Sequence, residues 1–316
     1  MLKKISIIGG GGTVGSTTAF CLGINGICEE IVLYDIAEGL TLHHAYDIGC
    51  AICKTSPTRI VPAKSAVDIV GSDVVIVAAS FPAASVEAAS KVHGQMISAL
   101  ADLSDILKEQ APEAVVLTLS NPVDLINTIL WKMTGKPAKQ FLGFSLNDSI
   151  RLDMAVAEYT GCAPDKVQSF CVGEHGFSKV PVLSSVKIEG TERSFSDEEA
   201  EKISEIATGH WMEFLKQGVK RTAGWSTGAY VCLCVDAIAG IHKEPLECSV
   251  VLSGEYGYSG ISLGTPVYLY KEGVMEIIEL DLSEREKALL RKSYDIVHSG
   301  VSKVLMSNYK KETDTV

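Results

Sequence analysis

The sequence is short of positive charge. Its 316 residues hold 28 Lys and Arg against 39 Asp and Glu, a formal net charge of −11. A surface that acidic repels phosphate backbones and anionic lipid, which speaks against nucleic acid or a membrane as partner. Long hydrophobic runs are also missing, and no stretch nears the roughly 18 apolar residues that span a bilayer. The apolar run Ile5–Ile8 stops at Gly9, short of the about 7–15 residue core of an export signal, so the expected compartment is the cytoplasm. Nine cysteines, an odd number in a long chain, argue against a disulfide framework. Cys50-Ala51-Ile52-Cys53 is a lone CxxC with His43 and His44 upstream. A zinc site usually needs four ligands and no second CxxC exists, so these thiols read as small apolar side chains and no metal is expected. Aromatic residues make up only 7% and are not interleaved with basic ones.

What is there is an ordinary globular balance, 47% hydrophobic and 21% charged. That excludes whole-chain disorder, and the length suggests about two domains. Over residues 1–145, short Val/Ile runs alternate with helical patterns. Strands are expected at Lys4–Gly9, Ile31–Tyr34, Asp73–Ala79 and Ala114–Leu119, with helices over Val14–Ile24 and Glu38–Cys53. Continuous apolar strands between helices suit a parallel sheet covered on both faces, hence an α/β, Rossmann-type doubly wound domain.

Beyond residue 145 the rhythm changes, and 146–316 reads as an α+β substrate domain. A helix over Leu146–Tyr159 is ended by Thr160-Gly161. Strands follow near Val167–Cys171 and Val180–Ile188. Ser196 and Glu199 form a capping box that opens a helix towards Lys220. A helix over Thr227–Ile241, strands around Leu246–Leu252, Val267–Tyr270 and Val274–Ile278, and a terminal helix to about Tyr309 complete the pattern.

Gly10-Gly11-Gly12-Thr13-Val14-Gly15 fits G-x-G-x-x-G between a strand and a helix. In that motif Gly10 allows the tight turn, Gly12 lets backbone approach a pyrophosphate, and Gly15 lets helix and strand pack closely. Asp35 ends the second strand, where a carboxylate accepts the ribose hydroxyls and repels a 2′-phosphate. NAD is therefore expected over NADP.

Three polar features stand in apolar surroundings. Asp148 and Arg151 lie three apart at a helix start, on neighbouring positions of one face. Gly173-Glu174-His175-Gly176 brackets a histidine with glycines after a strand. Ser120-Asn121-Pro122-Val123-Asp124 ends a parallel strand, where α/β sheets place ligands. Each has a plain alternative: a helix-start acid with a surface ion pair, a structural histidine, a turn.

Together these motifs resemble the NAD-dependent lactate/malate dehydrogenases, the L-2-hydroxy acid branch. The resemblance runs on through Ser253-Gly254-Glu255-Tyr256-Gly257 and Leu263-Gly264-Thr265-Pro266-Val267 to the terminal LSEREKALL helix. It implies that His175 is the proton donor and acceptor and that Asp148 holds its ring and favours the charged form. Arg151 would grip the substrate carboxylate, Asn121 would contact the nicotinamide ribose and the substrate oxygen, and Ser226 or Thr227 would line the pocket. The implied cofactor contacts are Gly10, Gly12, Thr13, Val14, Gly15, Asp35, Ala78, Ala79 and Asn121. A small 2-oxo or 2-hydroxy acid is the implied partner molecule. Homodimers or homotetramers would form through helix faces such as Thr227–Ile241 and Leu40–Ile52.

The chain departs from the family in the loop that closes over substrate. The family carries one residue there that selects the substrate and an arginine that polarises the carbonyl. The ungapped register puts Ala83 and Ala89 at these positions, and no arginine occurs between Arg59 and Arg151. Lys91 or His93 would stand in only if the loop slips from that register. The expectation is a neutral or apolar substrate side chain rather than a dicarboxylate. Phe177, after the histidine motif where the family has Asp or Asn, reads either as packing or as a pocket wall. The alternative functions are a non-catalytic or weakly active NAD(H)-binding sensor of the same fold and, last, an NAD-dependent glycosidase.

Overall fold

The computed structural model describes residues 1–81, 85–89, 91, 93–218 and 223–313. In chain order the elements are β1 (Leu2–Ile8), α1 (Thr13–Asn25), β2 (Cys28–Tyr34), α2 (Glu38–Ile52), β3 (Arg59–Pro62), β4 (Val74–Val77), α3 (Val86–Ala89), α4 (His93–Gln110), β5 (Val115–Thr118), α5 (Val123–Thr134) and β6 (Phe141–Phe144). They continue as α6 (Asn147–Thr160), β7 (Val167–Val172), β8 (Val180–Ile188), β9 (Thr191–Glu192), α7 (Asp197–Lys216), α8 (Gly224–Ile238), β10 (Leu246–Ser253), β11 (Ser259–Tyr270), β12 (Gly273–Ile277) and α9 (Glu284–Thr313).

One sheet carries nine strands in the order β12-β11-β10-β6-β5-β4-β1-β2-β3. The six from β3 to β6 are parallel. Their order, 3-2-1-4-5-6, is that of a doubly wound dinucleotide fold. The four residues of β4 and of β5 are all buried, as expected of strands covered on both faces. The order reverses between β1 and β4, and the crevice at that point is where such sheets bind ligands. α1 packs against α8 and α2, while α4 packs against α5 and α9. The strands β7-β8-β9 form a separate antiparallel sheet, with α6 and α7 packed beside it over a second, smaller core.

The predicted elements recur with small shifts at their ends. Gly161, at φ 76°, closes α6 in the left-handed conformation. The Ser196 N–H donates to Glu199 Oε2 at 2.7 Å and the Glu199 N–H to Ser196 Oγ at 3.3 Å, so the capping box is real. The helix it opens ends at Lys216; Lys220 lies outside the described residues. Strands β3, β6, β9 and the first half of β11, and helices α3, α4 and α5, are the additions. β3 and β6 have only four residues each, and β6 contains Gly143. β6 is a short apolar piece broken by Gly143, the first half of β11 is interrupted by Ser, Gly and Thr, and polar groups line the interior near them. Asn127 donates from Nδ2 to Ser262 Oγ at 2.8 Å, and its Oδ1 accepts from Thr118 Oγ1 at 3.1 Å. Ser249 Oγ donates to Asp124 Oδ1 at 2.5 Å, and the Ser262 N–H to Thr128 Oγ1 at 2.8 Å. Each of these polar groups is satisfied, which lets them sit in the core at little cost.

Candidate active site

The turn after β1 is shaped by absent side chains. A Cβ on Gly15 would stand 2.2 Å from the Gly9 carbonyl oxygen, so the helix can meet the strand end only with glycine there. The left-handed residue of the turn is Gly9, at φ 88°, rather than Gly10 as the motif suggested. Gly10 is instead pressed against Leu33, where a Cβ would meet the Leu33 Cβ at 3.0 Å. The frame of the turn thus slips by one residue relative to the G-x-G-x-x-G reading. A Cβ on Gly9 would also strike Ala78 and Ala79 at 2.5 Å, which sets the ends of β1 and β4 in contact.

Gly12 is exposed, and a Cβ there would meet nothing closer than the Gly9 oxygen at 3.4 Å. It caps α1 without a side-chain hydrogen bond, and the first-turn N–H groups at Thr13 and Val14 make the usual anion-favouring helix end. Asp35 accepts from the Gly11 N–H at Oδ2 and from the Ala37 N–H at Oδ1, both at 3.0 Å. A carboxylate so fixed still has lone pairs for two ribose hydroxyls. An open glycine turn, an uncapped helix start and a fixed carboxylate fit the pyrophosphate and adenosine ribose of NAD.

The proton-handling group is assembled from α6 and the segment between β7 and β8. His175 Nδ1 lies 2.7 Å from Asp148 Oδ2. Arg151 Nη1 donates to Asp148 Oδ1 at 3.3 Å, and Lys179 Nζ donates to the same oxygen at 3.0 Å. Asp148 is buried, whereas Arg151 keeps about a third of its side chain exposed. The backbone of the histidine is pinned as well: its N–H donates to Asp124 Oδ2 at 2.7 Å. Gly173, at φ 93°, bends the chain beside Ser293 of α9, whose hydroxyl accepts the Glu174 N–H at 2.6 Å. Behind Asp148, the Ser149 N–H donates to Glu247 of β10 at 3.0 Å, and Ser149 Oγ bonds to the same carboxylate.

Electrostatics follows from this packing. Burial alone would lower the proton affinity of His175. The adjacent Asp148 charge and hydrogen bond, helped by Asp124 and Glu247, outweigh it and raise the pKa above the ordinary value. Burial would push Asp148 up, but His175 and Lys179 hold it well below the usual carboxylate range. Burial pushes Asp124 up to about 7, against the Ser249 hydrogen bond and the His175 charge. Glu247 is raised by burial and by the Asp148 charge.

Of the remaining candidates, Thr227 is tied to the start of α6 by a hydrogen bond. Asn121 is exposed at the end of β5, joined to Pro122 by a cis peptide bond. Three residues on, Asp124 holds the His175 backbone. Ser120 Oγ donates to the Ala79 carbonyl at 2.6 Å and links the ends of β4 and β5. α8 begins one turn earlier than expected, at Gly224, which puts half-buried Ser226 and buried Thr227 in its first turn. Asn147 Nδ2 donates to Thr227 Oγ1 at 3.0 Å, beside Asp148 in sequence. Gly224 packs on Thr13 and Thr17, where a Cβ would meet side chains at 3.3 Å.

Ala83 lies outside the described residues, as does the side chain of His93. Lys91 is exposed and paired with Glu87 at 2.8 Å. Phe177 is 81% exposed, which overturns its reading as packing within the chain. Cys50 and Cys53 are exposed on and just after α2. No group of three or more His, Cys, Asp or Glu could hold a metal among the described residues. Asp124, Glu247 and Lys179 were missed as site residues. Asp124 lay inside a motif already singled out, and Lys179 looked like an ordinary surface charge.

Residues 3–143 match the family described as lactate/malate dehydrogenase, NAD binding domain, and residues 146–307 match its alpha/beta C-terminal domain. A malate dehydrogenase of Thioalkalivibrio sulfidiphilus is 34% identical over 308 residues, 95% of this chain and 97% of the relative. A malate dehydrogenase of Halobacterium salinarum is 32% identical over 292 residues, covering 92% and 95%. Among solved structures, a Cryptosporidium parvum malate dehydrogenase superposes with a TM-score of 0.87 at 28% identity, covering 97% of this chain and 100% of that one. A lactate dehydrogenase from the same organism, complexed with lactic acid and nicotinamide adenine dinucleotide, gives a TM-score of 0.86 at 28% identity, covering 96% and 98%. Both halves of the sequence match in order and nearly end to end, and the chain belongs to the lactate/malate dehydrogenase family, with NAD as its cofactor.

Proposed function

We propose that the chain is an oxidoreductase that interconverts a small L-2-hydroxy acid and its 2-oxo acid, with a neutral or apolar substrate side chain. The observation that carries the reading is the buried Asp148 carboxylate, which bonds His175 at 2.7 Å and Arg151 at 3.3 Å. Arg151 presents the rest of its planar fork outward, suited to the two oxygens of a carboxylate. His175 donates from Nδ1 to Asp148, which leaves Nε2 to carry the transferable proton. The Asp148 charge and hydrogen bond favour the imidazolium form of the ring. In reduction, Nε2 gives its proton to the carbonyl oxygen; in oxidation, the neutral ring takes it back from the hydroxyl. NAD, when bound at the glycine turn, supplies the hydride chemistry.

The side-chain preference rests on charge. No arginine stands between Arg59 and Arg151, so the closing loop has no guanidinium for a second carboxylate or for the reacting carbonyl. Loss of one such donor weakens transition-state stabilisation by about 3 kcal/mol, on the order of a hundredfold in rate. The relatives above carry the name malate dehydrogenase, which makes oxaloacetate the comparison that decides. NADH consumption followed with 2-oxo acids of varied side chain tests the reading. Turnover is expected with at least one neutral or apolar acid, above that with oxaloacetate. A preference for oxaloacetate contradicts the side-chain assignment. NADH binding without turnover of any acid contradicts the enzyme and leaves a cofactor-binding sensor.

A further inference from the structure

Asp148 serves three cations, and one of them lies outside the proton-transfer and substrate-gripping roles assigned above. Lys179 stands at the start of β8, four residues after His175, with its side chain 21% exposed. Its ammonium donates to Asp148 Oδ1 at 3.0 Å, closer than the 3.3 Å of Arg151 to the same oxygen. The other oxygen, Oδ2, belongs to His175. One buried carboxylate therefore joins the imidazole to an ammonium, with a guanidinium at the rim.

We propose that Lys179 is a positioning residue that clamps the second oxygen of Asp148, frees Arg151 to face a substrate carboxylate, and moderates the grip of Asp148 on the His175 proton. The inference rests on the reading of His175 and Arg151 given above. A flexible ammonium suits the clamp because it bonds as a point charge, whereas Arg151 keeps its fork for a planar partner. An unmoderated carboxylate at 2.7 Å would hold the imidazolium proton too firmly for transfer, since proton transfer is fastest when the pKa of the group lies near the working pH. A second positive charge on the same carboxylate works against that hold.

The charged groups that bear on His175 and Asp148 enter the balance. Asp148 and Arg151 come from α6, Asp124 from α5, Glu247 from β10, and Glu174 and Lys179 from the segment that carries the ring. Among the described residues these are four carboxyl groups and two cations around one imidazole. Burial raises the pKa of Asp124 and of Glu247. Asp148 is the acid held firmly ionised, and Lys179 is one of the charges that hold it so.

The test is an NMR titration of the His175 imidazole in the full-length protein, which needs no substrate and no turnover. Lys179→Met should raise the His175 midpoint by about one pH unit, a tenfold gain in proton affinity. Lys179→Arg should return it to the wild-type value, and Lys179→Gln, with a polar chain of similar reach, should behave like the methionine variant. The alkaline limb of kcat/KM for 2-oxo acid reduction should move upward with the midpoint. The KM for the acid should rise in Lys179→Met, because Arg151 is drawn onto the vacated oxygen. An unchanged or lowered midpoint in both the methionine and glutamine variants overturns the proposal, whatever their stability. A raised midpoint in a protein that reduces no 2-oxo acid upholds the clamp and removes the enzymatic reading instead, so the two fail separately.

Discussion

At the scale of single residues, the site is governed by one carboxylate. Asp148 gives His175 its ring orientation and its raised pKa, and the pH dependence follows in sign. In the proposed mechanism reduction uses the imidazolium, so its kcat/KM should be level at acidic pH and fall as pH rises through a midpoint above the ordinary value near 6.5. Oxidation uses the neutral ring and should gain over the same range. A reduction profile whose alkaline limb lies below that value would mean that burial outweighs Asp148. Arg151→Lys keeps the charge but loses the fork, and KM for the acid should rise about 30-fold, from a hydrogen bond to a charged group worth about 2 kcal/mol. Unchanged KM would place the carboxylate elsewhere. Asp35→Ala should weaken NADH and narrow its advantage over NADPH, read by equilibrium titration of both. Asp148, Arg151 and His175 stand out in sequence as polar residues beside a glycine or a helix start in apolar surroundings, and their roles are legible only through the family resemblance of the combined motifs. Lys179 is not legible, because a lysine beyond an exposed Phe177 looks like any solvated charge until the fold brings it to Asp148.

Among the elements, the fit between α3 and α9 is the most exacting. Gly300 of α9 is the socket for Val86: a Cβ there would stand 2.2 Å from Val86 Cγ1 and 3.3 Å from Leu125 Cδ1. Val86 and Ala89 of this short helix are buried, so the part of the closing-loop segment that carries Ala89 is anchored to the terminal helix. Gly300→Val should destabilise the protein by about 1–3 kcal/mol through overpacking, seen as a lowered thermal midpoint. A midpoint equal to wild type would show that α3 moves aside freely. The strands β1, β2, β4 and β5 can be read from the sequence because each is an apolar run buried on both faces. β6 and the first half of β11 cannot, because β6 has four residues broken by Gly143 and β11 opens with Ser, Gly and Thr between its apolar residues.

For the whole molecule, the sheet makes one body of both halves of the chain. The strands β10–β12 continue the parallel sheet through β6, so Glu247 of β10 can support α6 from below. No helix among the described residues is long and apolar enough to cross a membrane. α2 leaves Leu42 and Tyr46 exposed at 63% and 76%, while α8 buries most of its apolar residues. Of the two faces expected to pair subunits, α2 is the one left open. A second copy of this chain is the expected occupant, and Leu42→Glu with Tyr46→Glu should shift the sedimenting species towards monomer. An unchanged sedimentation profile would exclude that face. The most direct measurement is kcat/KM for 2-oxo acid reduction across pH in wild type and His175→Asn, with NADH affinity measured in the same samples. NADH binding should be retained, turnover should fall by about a thousandfold, and the alkaline limb should vanish. Turnover within a few-fold of wild type in His175→Asn, with the limb intact, would contradict the assignment of the transferred proton to this ring.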